Sequence, residues 1–442
     1  MGILSEGKKR FKQSEIGLIP EDWELKTLKE ICLQEKGSVI SGPFGSNIGS
    51  RFFVEKGIPV IRGNNLTTDF TKFVDNGFVF ITEEKANELH TWAEHDDLVF
   101  TAAGTLGQVA IVPFKRKYEK YIISNKQLRA RLDKKKVIPL FAFYWFQSKK
   151  MVAFVNVRNT GSTIPLINLA VLKSLPLPFP LIEEQKAIVE ILYAIDSKIE
   201  LNQQMNGVLE AVGQAVFKRW FIDFEFPNEE GKPYKSSGGE MIYDKILSKE
   251  IPASWTTRAL NEISTNFDSK RVPLSSRERE KIKGVYPYYG AVGVVDYINQ
   301  FLFDGTYLLM SEDGVYVINE NGFPTLQLVR GRFWVNNHAH VLQGNGISTE
   351  LLFLLVKNTN VQSIVTGAVQ PKINQGNMNT LKFTIPDEKC KRVIENFANK
   401  IFTKIIRNSE QNQTLSQVRD NLLPKLMSGK IRVPMESNME SQ

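Results

Sequence analysis

The chain has 442 residues, of which 42% are hydrophobic and 24% charged, and its formal net charge is +8. This length predicts two or three domains, and no apolar run approaches the ~18 residues that a membrane span needs. Two distant cysteines, Cys32 and Cys390, exclude a disulfide framework and a cysteine-rich zinc site, so a reducing cytoplasm is expected. The positive charge favours a polyanionic partner, nucleic acid first, although a globular protein can be basic without one.

The sequence changes texture several times along its length. Short β-branched and aromatic runs separated by Gly, Pro and Asn are typical of strands and tight turns. Long stretches with an apolar residue every three or four positions indicate helices. The predicted segments are a basic tail with Lys8, Lys9, Arg10 and Lys12 (1–13), a mostly β domain (14–180), a long helix (181–220), a polar linker (221–250), a second mostly β domain (251–386), a second long helix (387–424) and a C-terminal tail (425–442).

The second half of the chain repeats landmarks of the first. Ile19–Ile31 reads IPEDWELKTLKEI and Ile251–Ile263 reads IPASWTTRALNEI, at an offset of 251 − 19 = 232 residues. Thr160–Pro180 and Thr366–Pro386 share seven of 21 positions, at an offset of 366 − 160 = 206 residues. The frame of each domain is therefore repeated, whereas the middle of the first copy is longer by 232 − 206 = 26 residues.

Both long helices carry the alternating steps of four and three residues that keep one stripe facing a partner helix. The predicted seam positions are Ile191, Ile195, Lys198, Asn202, Met205, Leu209, Val212 and Val216 in the first helix, and Phe397, Ile401, Lys404, Asn408, Gln411, Leu415, Val418 and Leu422 in the second. The matching polar pairs Lys198/Lys404 and Asn202/Asn408 are interpreted as fixing the register of the helix pair. The alternative is that they flank a narrower apolar stripe.

The repeat also predicts how the helices associate. Gly207 and Gly213 weaken the first helix by about 1 kcal/mol each, and Pro424 is expected to end the second. Two helices of ~57 Å from repeated halves would most simply pack against each other. The predicted fold is α+β: two repeated mostly β domains, each followed by a long helix, with the helices packed as an antiparallel coiled-coil spacer and related by a pseudo-twofold axis.

Catalytic signatures are missing from the sequence. A methyltransferase needs a Gly-rich loop for S-adenosylmethionine and an NPPY or DPPY motif, and neither occurs; nor does the ATP-binding GxxxxGK[ST] pattern. Asp387 faintly resembles part of a nuclease motif but is interpreted as a helix-start residue. His338 and His340 would share one face of a strand, but no cysteine or acidic cluster stands near them in the sequence, so metal binding is disfavoured. No catalytic residue, cofactor or metal is predicted.

The order of these motifs, rather than any one of them, resembles the specificity (S) subunit of type I restriction–modification systems. The resemblance covers nearly the whole chain. It is carried by IGLIPEDWELKTL, SGPFGSN, GIPVIRGNNL, TGSTIPLINL and IEEQKAIVEILYAIDSKIELNQQMN in the first half, and by IPASW, YPYYGAVG and LLPKLMSGKIRV in the second.

This resemblance implies a non-catalytic DNA-reading protein. Each β domain would be a target recognition domain that reads one half of a split, asymmetric site in double-stranded DNA. The helices would set the unread spacer and dock two methyltransferase subunits, which motor-nuclease subunits then join. A stand-alone DNA-binding protein or repressor remains the alternative, and an enzyme in its own right is disfavoured by the missing motifs.

Base readout requires polar side chains on loops that reach the grooves, and phosphate contacts require cations and backbone N–H groups. Such residues occur beside glycines and turns in both halves, where they equally suit a purely structural role. The predicted DNA-binding residues are Ser46, Asn47, Arg62, Asn64, Asn65, Thr105, Lys126, Arg158 and Asn159 in the first half, and Lys270, Arg271, Tyr288, Tyr289, Ser311, Asn337, His338, Gln370 and Lys372 in the second.

Overall fold

The chain forms two compact units in a computed structural model. The described residues are 10–161, 163–367 and 369–433. Unit 1 contains the residues up to Glu200 and those from Asn412 onward, and unit 2 contains Leu201–Gln411. The first nine residues of the predicted basic tail, and the C-terminal residues from 434 onward, lie outside the described part of the chain.

Unit 1 is built on two four-stranded sheets, ordered β6-β5-β10-β7 and β4-β11-β8-β9. Its strands are β1 (Phe11–Ser14), β2 (Gly17–Pro20), β3 (Glu24–Thr27), β4 (Val39–Ser41), β5 (Ile58–Ile61), β6 (Val79–Ile81), β7 (Trp92–Ala93), β8 (Leu98–Thr101), β9 (Val109–Ile111), β10 (Tyr121–Ile123), β11 (Gln127–Ala130) and β12 (Pro176–Phe179). Its helices are α1 (Leu28–Ile31), α2 (Glu83–Leu89), α3 (Pro139–Phe146), α4 (Lys149–Val157), α5 (Leu169–Lys173) and the first part of α6 (Ile182–Phe217), which continues into unit 2.

The core of unit 1 lies between the second sheet and α3. Strand β8 is buried at every residue, with Leu98 and Phe100 in the main core and Val99 in a smaller cluster on the opposite face. Helix α3 begins with Pro139, whose fixed φ suits the first helical turn. Its six following aromatic and apolar residues from Phe141 onward are all buried, which explains why this helix shows no amphipathic pattern.

Unit 2 is built on a six-stranded sheet ordered β16-β21-β19-β20-β17-β18. Its strands are β13 (Met241–Asp244), β14 (Lys249–Pro252), β15 (Thr256–Ala259), β16 (Ser264–Asn266), β17 (Lys283–Tyr289), β18 (Val294–Ile298), β19 (Phe303–Ser311), β20 (Leu326–Val335), β21 (Ala339–Gly344) and β22 (Lys382–Ile385). Its helices are α7 (Leu260–Ile263), α8 (Ser276–Lys281), α9 (Thr349–Lys357), α10 (Gln375–Asn379) and the first part of α11 (Glu388–Met427), which continues into unit 1. Five residues of π-helix, Lys218–Ile222, follow α6.

The predicted long helices are confirmed, and they run antiparallel in each unit. The Asn206 amide donates to the Ile405 carbonyl at 3.3 Å in unit 2, and the Asn412 amide donates to the Ile199 carbonyl at 3.4 Å in unit 1. These are equivalent bonds, because 412 − 206 = 206 and 405 − 199 = 206. The sequence repeat is therefore a repeat of interhelical contacts. The pseudo-twofold axis stays a prediction.

Both long helices continue through residues that were expected to weaken or end them. Helix α6 is continuous through Gly207 and Gly213, because its packing against α11 outweighs the glycine propensity cost. Helix α11 does not end at Pro424 but continues to Met427. Only one turn follows this proline, so the single backbone hydrogen bond that it removes is tolerated near the helix end.

The buried seam is shifted from the predicted one at several positions. Ile191, Val212, Lys404 and Val418 were expected to face the partner helix but are exposed. Straight helices drift by about 20° per heptad relative to a strict seven-residue repeat, so the buried stripe moves to neighbouring residues. The buried seam includes Ile188, Leu192, Ile199, Asn202 and Gly213 on α6, and Ile394, Ala398, Ile401, Asn408, Arg419, Leu423 and Leu426 on α11.

Of the four predicted register residues, the two asparagines lie in this seam. Asn202 donates to Gln411 Oε1 at 2.9 Å, and Asn408 donates to Asn206 Oδ1 at 2.8 Å. Lys198 is half-buried, whereas Lys404 is exposed and lies outside the seam. Because a buried amide loses its hydrogen bonds if the helices slip, the register role of the asparagines remains our interpretation.

A buried polar lock joins the helix pair to α3 in unit 1. Arg419 Nη1 donates to Asp196 Oδ1 at 2.9 Å, and the Tyr144 hydroxyl donates to Asp196 Oδ2 at 2.8 Å. The Asp196 and Arg419 side chains are only 3% and 9% exposed. The guanidinium also lies 4.2 Å from the Phe70 ring centroid. The buried polar groups of this lock therefore interact with one another in place of the water that burial removes.

The equivalent positions of unit 2 are apolar. Position 196 + 206 is Phe402, which packs edge-to-face on Phe353 of α9 at 5.2 Å. Position 419 − 206 is Gly213, where a Cβ would meet its nearest neighbour, Ile401 Cδ1, only at 4.0 Å. Where unit 1 has an ion pair, unit 2 therefore has an aromatic ring at one position and a residue without a side chain at the other.

The segment predicted as a linker is folded. Three phenylalanines, Phe221, Phe224 and Phe226, surround Trp255 with ring centroids 5.1, 5.7 and 5.0 Å away. Strands β13 and β14 form a hairpin at the end of this segment. The polar composition of residues 221–250 hid the three rings, each separated from the next by one or two residues.

The two tryptophans that begin the repeated frames show the same exchange of chemistry. In unit 1, Trp23 Nε1 donates to Glu184, which also accepts from Arg432 at 2.6 Å. The positions 206 residues away from Glu184 and Arg432 are Cys390 and Phe226 in unit 2. There the ring of Phe226 stacks on Trp255, whose indole nitrogen has no hydrogen-bond partner among the described residues.

Removing the cation of the polar lock is expected to lower the free energy of unfolding. Arg419→Met should cost about 3–5 kcal/mol, because it leaves the Asp196 carboxylate buried without its partner. The triple variant Tyr144→Phe, Asp196→Phe, Arg419→Gly installs the apolar arrangement of unit 2 and should recover most of that loss. Urea unfolding followed by tryptophan fluorescence measures both.

Lys149→Ala is the matched control, because the Lys149 side chain is 91% exposed and its ion pair, to Asp420 at 3.4 Å, involves no member of the lock. Its effect should stay below about 1 kcal/mol. A triple variant no more stable than Arg419→Met would show that the two locks are not interchangeable solutions.

Candidate nucleic-acid interface

Five loops of unit 1 converge at one end of its sheets. The backbone N–H of Ala102 donates to the Lys126 carbonyl at 2.8 Å, and that of Gly104 donates to the Pro165 carbonyl at 3.0 Å. Ser124 N–H donates to the Ile61 carbonyl at 2.9 Å. We call these loops loop cluster 1: residues 42–47, 62–65, 103–105, 124–126, 159–161 and 163–166.

Glycine is required where these loops touch. A Cβ at Gly42 would lie 1.8 Å from the Ser124 carbonyl oxygen, so only glycine allows the SGPFGSN loop to rest on the β10–β11 turn. Gly104 has φ +111°, a conformation that side chains rarely adopt. The glycines in these motifs therefore build the frame and leave the side chains between them exposed.

Unit 2 repeats this arrangement with other residues. Glu312 N–H donates to the His338 carbonyl at 2.9 Å, and Gly314 N–H donates to the Pro371 carbonyl at 3.1 Å. His338 thus occupies the place of Lys126 in unit 1. We call these loops loop cluster 2: residues 267–271, 290–293, 312–316, 336–338, 366–367 and 369–372.

Most predicted DNA-binding residues of the first half lie exposed on loop cluster 1. The exposed ones are Ser46, Asn47, Arg62, Asn64, Thr105, Lys126 and Asn159. Arg62 and Lys126 pair with no acidic side chain among the described residues, so their charges face solvent. Asn159 also holds its own turn, since its Oδ1 accepts the N–H groups of Gly161 and Leu166 at 2.9 and 2.8 Å.

Two predictions in the first half are corrected. Asn65 is completely buried, and its amide donates to the carbonyls of Val74 and Asn76, so it fixes a loop and cannot contact DNA. Arg158 is half-buried with its guanidinium 3.3 Å from the centroid of the Phe154 ring. The Gly-Asn-Asn motif therefore presents one asparagine outward and one inward.

In the second half the structure brings five predicted residues to the surface of loop cluster 2. These are Lys270, Asn337, His338, Gln370 and Lys372. His338 Nδ1 lies 2.8 Å from Asp313 Oδ1, and Lys372 Nζ lies 3.1 Å from Glu312 Oε1. Loop cluster 2 is thus more neutral than loop cluster 1, where the exposed cations lack such partners.

Four other residues of the second half do not belong to an exposed surface. Tyr288 and Ser311 are each 1% exposed, and the Tyr288 hydroxyl accepts the N–H of Leu274. Tyr289 is half-buried against Phe333. Arg271 is held by Glu312 at 2.6 Å and by the Ala339 carbonyl at 2.8 Å. These residues were predicted from their polar character and their place beside glycines and turns, and here they serve the fold instead.

Beneath loop cluster 2 lies a buried charge cluster that the sequence did not reveal. His340 is 1% exposed, and its Nδ1 lies 2.6 Å from Asp268 Oδ2. Its Nε2 lies 2.8 Å from the Ile373 carbonyl oxygen, and Glu312 Oε2 is 3.7 Å from Nδ1. Asp268 and Glu312 stand 72 and 28 residues before His340, so only the fold brings this acidic cluster to the histidine.

Asp268, Glu312 and His340 lie close enough to suggest a metal site. Both imidazole nitrogens, however, already face acceptors, a carboxylate and a carbonyl, so the ring is a double donor rather than a ligand. The Arg271 guanidinium and the Lys372 ammonium supply the positive charge beside Glu312. Burial opposes the charged ring, but the hydrogen bonds that the ring donates to Asp268 and to the Ile373 carbonyl outweigh it and raise the pKa of His340. The cluster therefore ties loops together through a histidine whose two ring nitrogens both face acceptors.

Asp387 takes the role that the sequence predicts for it. Its Oδ1 accepts the backbone N–H of Cys390 at 2.9 Å in the first turn of α11. This is the hydrogen bond of a helix N-cap.

Among the helices of the described residues, none combines the length and apolar character needed to cross a membrane.

Comparison with known proteins agrees with this arrangement. The family model of the type I restriction modification DNA specificity domain matches residues 20–211 and again 252–418. The chain therefore belongs to this family, and each match begins near one of the paired tryptophans, Trp23 and Trp255.

Curated relatives cover the chain end to end. The chain is 26% identical to the type I restriction enzyme MjaIX specificity subunit of Methanocaldococcus jannaschii, over 96% of both chains. It is 23% identical to the HindI specificity subunit of Haemophilus influenzae, over 71% of this chain and 82% of that protein. The solved structure of an S subunit from M. genitalium shares the fold, with a TM-score of 0.55, 14% identity and coverage of 91% and 96% of the two chains.

Raising the pH through neutrality is expected to destabilise unit 2 through His340. Folding raises the pKa of this group, so its contribution is fully present below about pH 6.5 and is lost as the pH rises through the folded pKa. The pKa values of Asp268 and Glu312 are lowered despite burial, chiefly by hydrogen bonds to His340 and Arg271 respectively, so their contributions are lost only in acid. The melting temperature measured between about pH 6 and about pH 9 should fall with a slope that His340→Gln reduces.

His338→Gln is the control, because its side chain is 48% exposed and lies two residues away. If His340→Gln kept the wild-type slope while His338→Gln removed it, the assignment of the buried histidine as the charged group would be wrong.

Proposed function

We propose that this chain is the DNA-sequence-specificity subunit of a type I restriction–modification complex. In this proposal each unit reads one half of an asymmetric bipartite site in double-stranded DNA. The single observation that supports it best is the pair of loop clusters, which share their backbone hydrogen bonds but differ in nearly every exposed side chain. Equal frames with unlike surfaces suit two readers of unlike sequences.

The exposed side chains suit contacts with a duplex. Arg62 and Lys126 in unit 1 are free to neutralise phosphates, and the exposed amide of Asn47 offers the paired donor and acceptor that reads adenine. In unit 2, Asn337 and Lys270 stand on equivalent loops. The glycines of the loop clusters would allow the backbone to approach the DNA closely. Because the exposed sets differ, the half-sites are expected to differ as well.

We assign the chemistry to partner subunits. The chain would act as a non-catalytic component without cofactor or metal, and two methyltransferase subunits would dock on it and modify the DNA. Motor-nuclease subunits would join that complex for cleavage, and the complex would work in the cytoplasm. The exposed residues of α6 and α11 offer the docking surface in this proposal.

The long helices suit a spacer between the two half-sites. They have 36 and 40 residues and each contributes to both units. At 1.5 Å per residue they span about 54–60 Å. A duplex turn measures about 34–36 Å, so the proposal expects an unread gap on the order of one turn.

Mapping modified adenines in host DNA by long-read sequencing, with the chain present and deleted, tests this proposal. A split motif with an unread gap should disappear on deletion, because no other part of the complex would supply the sequence. A stand-alone DNA-binding protein would leave the methylation pattern unchanged, and that result would contradict the proposal.

Exposed cations of loop cluster 1 are expected to contribute to DNA affinity. Lys126→Ala should reduce the slope of log affinity against log salt by about 0.9, the value for one lost phosphate contact. Lys135→Ala is the matched control, because Lys135 is an exposed lysine that follows β11 at its other end. Fluorescence anisotropy at several salt concentrations measures both, and equal slopes for the two variants would remove Lys126 from the interface.

A further inference from the structure

Phe44 is the most exposed of the large apolar side chains on loop cluster 1. Phe44 is 84% exposed, in the SGPFGSN loop between β4 and β5. Isolated exposed apolar residues are common on protein surfaces and carry no meaning by themselves. Phe44 differs from them in how firmly the chain holds it and in what surrounds it.

The loop fixes the Phe44 backbone from both sides. On its N-terminal side, Gly42 N–H donates to the Gln127 carbonyl at 2.9 Å. The ring of Pro43 fixes the φ angle of that residue, directly before Phe44. On its C-terminal side, the Phe44 carbonyl accepts the Asn47 N–H at 2.8 Å, and Ile48 is buried. The backbone at Phe44 itself is unstrained, with φ −58° and ψ 144°. The ring is therefore held outward on a preorganised loop.

Polar and cationic groups lie on the same loop as this ring and on the neighbouring loops of the cluster. Arg51 Nη2 donates to the Ser46 carbonyl at 3.0 Å, which braces the loop from behind. Arg62 and Lys126 project from the two neighbouring loops of the cluster. An aromatic ring among unpaired cations is the combination that proteins use to stack on bases while neutralising phosphates.

We propose that Phe44 inserts its ring into the base stack of the DNA half-site that unit 1 reads. This inference rests on the proposed function and adds a specific role to it. Apolar wedges that enter a base step part the neighbouring base pairs and kink the duplex. The cost of unstacking depends on the step, so such a wedge contributes specificity at a position where no hydrogen bond reads the base.

Of the two equivalent loops, residues 42–47 and 267–271, only the first exposes an aromatic ring. On the equivalent loop of unit 2, Phe267 is half-buried and packs edge-to-face on Tyr307 at 5.5 Å. Lys270 Nζ lies 5.0 Å from the centroid of the same ring. Its ring therefore supports the loop and is not available to a ligand. The loop of residues 42–47 is therefore expected to distort only the half-site that unit 1 reads.

The experiment uses the full chain co-expressed with its methyltransferase subunits and a duplex that carries the methylated target. 2-Aminopurine placed in turn at each purine of the half-sites reports unstacking through increased fluorescence. The wild-type complex should increase the signal at one step of one half-site. Phe44→Ala should abolish that increase and weaken binding by about 10- to 100-fold, the loss expected for one stacked aromatic ring. Phe44→Trp should retain both.

Phe114→Ala is the matched control, because Phe114 is also 77% exposed but lies outside loop cluster 1, beside His95. It should leave the fluorescence and the affinity unchanged. Equal behaviour of the two alanine variants would overturn the wedge. A second result would also overturn it: a Phe44→Ala chain that assembles poorly with its partner subunits, while the complexes that do form keep the wild-type fluorescence. Phe44 would then contact protein. A wild-type complex that binds no target duplex would instead contradict the proposed function itself.

Discussion

Backbone hydrogen bonds between neighbouring loops are the constraint on which both loop clusters depend. The bond from Ala102 to the Lys126 carbonyl in unit 1 recurs from Glu312 to the His338 carbonyl in unit 2. The donor residues of the two bonds differ in type, and so do the acceptor residues. The bond can persist because a main-chain hydrogen bond does not depend on the side chains. The frame is thereby independent of the exposed residues, and the exposed residues are free to differ without loss of the fold. A protein that reads two unlike sequences with two copies of one domain needs this separation.

The helix pair meets a related demand by exchanging chemistry at matched positions. Asp196 and Arg419 in unit 1 correspond to Phe402 and Gly213 in unit 2, and Glu184 and Arg432 correspond to Cys390 and Phe226. Each exchange replaces both partners together, because a single replacement would bury an unpaired charge. The interhelical hydrogen bonds from Asn206 and Asn412 persist although these positions differ.

The sequence predicted the repeat, the β domains and the long antiparallel helices, because glycines, prolines and apolar periodicity act locally. It placed the seam one residue off at Ile191 and Val418, because a seven-residue count ignores the drift of a real helix. It failed where partners are distant: the acidic groups that hold His340, the buried role of Asn65, and the rings that fold the segment before Trp255 onto it. At the candidate site, the sequence predicted the role of the motif glycines, and it predicted only some of the exposed asparagines and lysines. Phe44 was passed over because a loop phenylalanine is ordinarily assigned to a core.

The most direct test of this account is hydrogen–deuterium exchange on the full chain with its methyltransferase subunits, with and without a target duplex. Amides of both loop clusters should gain protection when DNA binds, above all at residues 42–47, 124–126 and 336–338, while residues 131–136 at the other end of the unit 1 sheet should not change. Protection at residues 131–136 with none in the loop clusters would place the DNA on another surface and contradict the account.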